Sequence, residues 1–232
     1  MNAIFITGTD TDIGKTHVSI GLLNRFNKSG YSTFGMKPIA SGCEKNIAGK
    51  LVNQDALALQ AISSIERAYH HVNPIAFADP IAPHLASQKN GVNLSVDWVA
   101  EVISKSIAES ADINIIEGVG GWSVPLNNHE LFADVIAMLK VPTILVVGIK
   151  LGCINHAILT SRSIIEMQVP FLGWIANCIE PDQQFSEDNI RALSSWLPGP
   201  CLGVFQYGLS PYHANIEMTY FSSVVNGNKH VK

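Results

Sequence analysis

The stretch "GTDTDIGKT", Gly8–Thr16, decides how this 232-residue chain is read. It closes on Gly14-Lys15-Thr16, the end of the phosphate-loop pattern G-x-x-x-x-G-K-[ST]. Gly8 stands one residue too early for that pattern, and Thr9 occupies the place where the strict form wants glycine. A phosphate cradle needs backbone N–H groups turned inward at a helix N-terminus, with a lysine and a hydroxyl at the first helical positions. Gly14, Lys15 and Thr16 meet those needs. The apolar run "AIFIT" (3–7) precedes them and helical periodicity from Thr16 to Asn27 follows. The competing reading is a plain strand–turn–helix joint with a chance Gly-Lys-Thr, and the flanking elements favour the cradle. Lys15 is then placed to neutralise β- and γ-phosphates, and the Thr16 hydroxyl to ligate Mg²⁺.

The same alternation continues outward. Short apolar runs appear at "STFGMK" (32–37), "INII" (113–116), "TILVVGI" (143–149), "FLGWIAN" (171–177) and "CLGVF" (201–205). Helical segments are expected at Val96–Ala108, Asn155–Met167 and Glu187–Leu197. Short continuous apolar runs between helices predict an α/β fold with a mostly parallel sheet buried on both faces. Residues 42–91 read as irregular, with short helices over one end of the sheet. One domain over 1–225 and a mobile tail at 226–232 are expected.

Composition excludes several classes. Hydrophobic residues make up 47% of the chain and net charge is -4. Without a basic run, nucleic acid is not the expected partner. Four cysteines far apart form neither a C-x-x-C pair nor a zinc spacing, which fits a reducing cytoplasmic compartment. The first residues lack a basic n-region, and no apolar run is long enough to span a bilayer, so neither a leader nor a membrane partner is expected.

In an open parallel sheet, ligands bind beyond the carboxyl ends of the strands. Each apolar run here is followed by chemically able residues. Lys37 and Ser41 follow the second, Glu117 with "EGVGG" the third, "KLGCINH" (150–156) the fourth and Asn177 the fifth. Glu117 reads as a Mg²⁺-binding acid or as a polar strand end. Lys37 reads as a charge-stabilising lysine or as a surface lysine. Asp55, ahead of an apolar helical run, reads first as an N-cap and second as a ligand. The histidines show no metal pattern. With no nucleophile signature, phosphoryl transfer by positioning and charge is the expected chemistry.

Together, "TGTDTDIGKT", "KPIASG", "NQDALALQ", "EGVGGW", "LVVGIKLGCINHA" and "GWIAN" resemble the dethiobiotin synthase family over about residues 3–206. The resemblance implies a P-loop fold and a homodimeric, Mg²⁺- and ATP-dependent cyclo-ligase of biotin synthesis. Its substrates would be 7,8-diaminononanoate and CO₂ or bicarbonate, with ATP as co-substrate. Thr11, Lys15 and Lys37 would be catalytic. Thr16, Asp55 and Glu117 would hold Mg²⁺. The nucleotide would further touch Asp12, Ile13, Gly14, His17, Gly118, Val119, Gly120 and Cys178, with Asn177, Gln206 and Tyr207 at the adenine. Substrate would meet Thr11, Lys37 and Ser41. The backbone around Leu151, Gly152 and Asn155, offered across the dimer interface, would take its carboxylate.

The chain departs from the family pattern at three places. Asp12 replaces a glutamate, Asn189 stands where some members have tyrosine, and Gln206-Tyr207 replace a Pro-aromatic pair, which leaves nucleotide preference open. Rival readings are a P-loop switch ATPase of the partitioning or septum-site type, an amide-forming synthetase acting on a tetrapyrrole, and a nucleotide-binding module without a reaction. Asp10 stands where the switch ATPases carry a signature lysine, and the chain is too short for the synthetase's glutaminase domain.

Overall fold

The computed structural model describes residues 2–181, 185–221 and 224; the expected tail at 226–232 lies outside them. The chain opens with β1 (Ala3–Gly8), α1 (Lys15–Lys28), β2 (Thr33–Met36), β3 (Ile39–Ala40), β4 (Glu44–Lys45) and β5 (Leu51–Val52). Helices α2 (Gln54–Ile62) and α3 (Tyr69–Val72), strand β6 (Ile75–Ala76) and helices α4 (Pro83–Lys89) and α5 (Val96–Ser106) follow. The second half runs β7 (Ile113–Glu117), α6 (Phe132–Leu139), β8 (Thr143–Ile149), α7 (Cys153–Glu166), β9 (Phe171–Cys178), α8 (Ser186–Trp196), β10 (Cys201–Phe205) and β11 (Asn215–Ile216).

Seven strands form one sheet in the order β11-β10-β9-β8-β1-β7-β2. Every pairing is parallel except β10 with β11. The pleat of β1 explains why both faces are apolar. Side chains alternate across a strand, so Ala3 and Phe5 enter one core while Ile4 and Ile6 enter the other. The first core takes Val99 and Ile103 of α5, Phe132 and Ile136 of α6, Ile164 of α7 and Leu193 of α8. The second takes Val18, Leu22 and Phe26 of α1 and Leu59 of α2. Helices therefore cover both faces, and all six expected apolar runs are strands of this sheet. Among the described residues, no helix is long and apolar enough to cross a membrane.

Three local readings are corrected. Helix α7 begins at Cys153, two residues before the expected Asn155, because Gly152 adopts a left-handed N-cap conformation (φ 89°) that turns the chain into the helix at once. Helix α6 was not expected. It is one short amphipathic segment, fixed by the Asp134 carboxylate accepting the Leu131 N–H at 2.7 Å, a capping contact too local for periodicity to reveal. The antiparallel edge strand β11 was also unexpected; at two residues it carries no alternation to read. The irregular region does hold short helices, α2 to α4, as expected.

Candidate active site

The carboxyl ends of β1, β2 and β7 open into a cleft of about 880 Å³. The phosphate loop forms its floor. Lys15, 7% exposed, is the first residue of α1, and its Nζ donates back across the loop to the Asp10 carbonyl at 2.9 Å. The N-terminus of α1 carries no side-chain cap and no acidic residue in its first turn. Its N–H groups and partial positive charge are thus left for an anion.

Gly14 holds this geometry. Its φ of +84° lies in the left-handed region, and a Cβ there would sit 2.1 Å from Asn177 Nδ2. That amide donates to the Ile13 carbonyl at 2.8 Å and so ties the loop to the end of β9. The shifted glycine spacing is accommodated where Asp12 takes up a left-handed φ of 56°. Gly8, one residue early, packs against Ile13, whose Cδ1 would be 2.8 Å from an added Cβ.

The chemical centre is an ionic cluster in which Glu117 and Lys37 are buried and Asp55 is part-exposed at the edge. Glu117, at the end of β7, is fully buried. Its Oε1 accepts from the Thr16 hydroxyl at 2.7 Å and from Lys37 Nζ at 2.9 Å. Lys37 Nζ also donates to Asp55 Oδ2 at 2.5 Å. The second Glu117 oxygen, Oε2, is buried and meets no donor among the described residues. Burial alone would lower the Lys37 pKa, but Glu117 and Asp55 outweigh it and raise it above the ordinary value. Lys15 behaves oppositely. Burial dominates over the pull of Glu117, Lys37 opposes its charge, and its pKa falls to about 8.

Two readings of single residues are settled here. Asp55 is not the N-cap of α2. Asn53 is, its side chain accepting from Ala56 N, which frees Asp55 in the first turn to reach Lys37. Lys37 is not a surface lysine, being 7% exposed.

The cleft gathers Thr11, Asp12, Gly14, Lys15, Thr16, Lys37, Ser41, Asp55, Glu117, Val119 and Gly120. Ser41 Oγ is buried and has no partner among the described residues. Ile13, Gly118, Asn177 and Cys178 do not line the cleft; Ile13 is fully buried behind it. His17 and Gln206 border a separate pocket of about 280 Å³ at the end of β10, and Tyr207 is exposed beside it. Leu151, Gly152 and Asn155 also lie outside the cleft, with Leu151 fully exposed. Sequence reasoning missed the opposite wall, Pro80–Pro83 and Ser123–Pro125. Apart from Ser123 these residues are apolar, and Pro83 already starts α4, so their sequence signal was proline content.

The side-chain atoms here that could ligate a metal are oxygens, of Thr16, Asp55 and Glu117, and the two carboxylates share Lys37. A buried acceptor without a donor beside a hydroxyl is the kind of partial shell Mg²⁺ takes, since this ion keeps waters and phosphate oxygens for its remaining positions. A closed cage of three or more His, Cys, Asp or Glu is absent among the described residues.

The chain is similar to several known proteins. An AAA domain family model matches residues 2–209. A protein of Pseudomonas aeruginosa (strain UCBPP-PA14) named ATP-dependent dethiobiotin synthetase BioD is 47% identical over 203 residues, covering 88% of this chain and 89% of that one. Its namesake from Cellvibrio japonicus is 48% identical over 202 residues, covering 87% and 88%. Among solved structures, the MinD cell division protein of Aquifex aeolicus superposes with a TM-score of 0.51 at 13% identity, covering 97% of this chain and 86% of that one. The MinC:MinD complex of the same organism gives 0.52 at 12%, covering 88% and 80%. At those identities the likeness is one of fold alone.

Gly14→Ala is expected to displace the Asn177 amide and to cost about 1–3 kcal/mol in chemical denaturation, through strain and a lost buried hydrogen bond. Adding Asn177→Gly should relieve the clash and recover part of the loss. Stability unchanged in the single variant would mean that Gly14 does not set the loop.

Proposed function

The chain belongs to the dethiobiotin synthase family, and we propose from that premise how its cleft carries out the family's reaction. It is an ATP-dependent ligase of biotin biosynthesis. Its substrates, on this reading, are 7,8-diaminononanoate and CO₂. One amine adds CO₂ to give a carbamate. The carbamate oxygen attacks the γ-phosphorus of ATP, releasing ADP and forming a carbamic–phosphoric anhydride. The second amine attacks the carbonyl carbon, and phosphate leaves as the ureido ring closes. The observation that carries this reading is the convergence of Lys15, Lys37, Thr16 and Glu117 at one uncapped helix N-terminus.

Lys15 and the α1 N–H groups hold the β- and γ-phosphates. Lys37 faces the carbamate and the transferring phosphoryl group, where fixed positive charge in a water-poor site counts most. Thr11 and Ser41 orient the diamine so that the amine faces the carbonyl carbon, which supplies rate without a general base. Thr16, Asp55 and Glu117 would hold Mg²⁺, which would offset negative charge on the triphosphate. Gly118, Val119 and Gly120 border the phosphates. Asp12, Ile13 and His17 flank the nucleotide, and Asn177, Cys178, Gln206 and Tyr207 take the base. An amide carries two N–H groups, so the Asn177 tether to Ile13 does not use up its capacity.

Leu151, Gly152 and Asn155 receive the substrate carboxylate in a neighbouring subunit's site. Their exposure outside their own cleft supports a homodimer with shared sites. The domain is a single unit over 1–225, acting in the cytoplasm.

Phosphate release should require 7,8-diaminononanoate, bicarbonate, ATP and Mg²⁺ together, each omitted in turn, with EDTA abolishing it reversibly. Diamine-independent ATP turnover would sink the ligase mechanism. Lys15→Gln should cost two to three decades in kcat/KM, about 2–4 kcal/mol.

The Lys15 pKa gives a pH signature. A lysine held at about 8 is charged below that value and neutral above it. ATP affinity should therefore be flat up to about pH 8 and weaken toward tenfold per pH unit beyond it, while Lys15→Gln binds weakly with no such slope. The stability sign is the reverse. Burying the charged form costs stability below pH 8, and that cost is relieved as pH rises toward the unfolded value of 10.5. A wild-type ATP affinity independent of pH to 9.5 would contradict the assignment.

The shared site can be tested by mixing. Lys37→Ala protein and protein with a disrupted 152–155 loop, each inactive, should regain activity when co-refolded. No recovery in a verified mixed dimer would mean that each subunit binds substrate alone.

A further inference from the structure

An acidic side chain inside a loop that must hold a polyanion is electrostatically adverse, yet Asp10 stands in the middle of the phosphate loop. Its surroundings explain its presence. Asp10 Oδ1 accepts the Thr11 N–H at 2.8 Å. Its backbone carbonyl accepts Lys15 Nζ at 2.9 Å. Its Oδ2 meets Lys150 Nζ at 3.2 Å. Lys150 begins the turn after β8, and its own carbonyl accepts the Cys153 N–H at 3.0 Å at the start of α7. One residue thus ties the loop's lysine, the Thr11 peptide and the neighbouring βα turn.

We propose that Asp10 and Lys150 are a positioning pair, an ion pair that anchors the phosphate loop to the β8–α7 turn and holds Thr11 and Lys15 ready for the triphosphate. The inference rests on reading this loop as the triphosphate cradle. Neither residue lines the cleft. Their action is to raise the fraction of loop already in the binding conformation, and apparent affinity scales with that fraction.

The sign of one substitution separates this from simple charge. Asp10→Asn keeps an oxygen for the Thr11 N–H but removes a negative charge next to the bound phosphates. If Asp10 acts only as a charge, ATP binding tightens; if it anchors the loop through Lys150, binding weakens. Calorimetric titration with Mg-ATP should give about five- to tenfold weaker binding for Asp10→Asn and for Lys150→Met. The double variant should be no worse than the weaker single, because the two residues form one contact. Asp10→Glu, which keeps the charge, should recover part of the loss. The side chains of Lys150 and Asp10 are 31% and 48% exposed, so melting temperatures should shift by less than about 2 °C. Unchanged or tighter ATP binding by Asp10→Asn overturns the proposal, as does a double variant whose loss is the product of the singles. Wild-type protein that binds no ATP would sink the cradle reading and this proposal with it. Wild-type binding and turnover with unaffected variants would sink this proposal alone.

Discussion

Everything at the cleft depends on a carboxylate that cannot reach water. Glu117 is buried at the end of a central strand, where an unpaired charge would be prohibitively costly. Its charge is met by Lys37 and by the Thr16 hydroxyl, and Lys37 is met in turn by Asp55. This chain of contacts draws together the start of α1, the ends of β2 and β7 and the first turn of α2. One carboxylate oxygen still lacks a donor among the described residues. A core selected for stability alone would fill that position with apolar side chains, so the incomplete pairing points to a ligand.

The phosphate loop shows the same economy of unsatisfied groups. Helix α1 lacks a side-chain cap and an acidic first turn, as does α7, whereas α2 is capped by Asn53 and α5 by Ser95. Left-handed backbone at Asp12 and Gly14 and a buried lysine with a lowered pKa gather within a few residues. Left-handed backbone, an unpaired carboxylate oxygen and a buried lysine thus meet at the carboxyl ends of the strands, between the two apolar cores on either side of the sheet.

Fold and function separate clearly here. The solved structures that superpose on the chain are cell division proteins at 12–13% identity, and they share its architecture only. The dethiobiotin synthetases share nearly half its residues over most of its length. A parallel sheet with a phosphate loop serves many reactions. In this chain the loops beyond the strands pair Asp10 with Lys150 and turn Lys37 inward to Glu117.

The sequence by itself determined the layered α/β architecture, because continuous apolar runs and helical periods are local properties set by the pleat and the helical turn. It also located the phosphate loop and the loops after each strand, since strand ends are legible wherever an apolar run stops. It left Asp55 between cap and ligand and Lys37 between surface and site. Those choices depend on contacts between residues 18 and 80 positions apart, which no local pattern carries. Helix α6, the edge strand β11 and the apolar wall at Pro80–Pro83 were hidden for the same reason: each is too short to show a period and is fixed by its neighbours. Only the tertiary structure decided that Glu117 is wholly buried and incompletely paired, because burial belongs to the packed sheet and its helices and to no single stretch of chain.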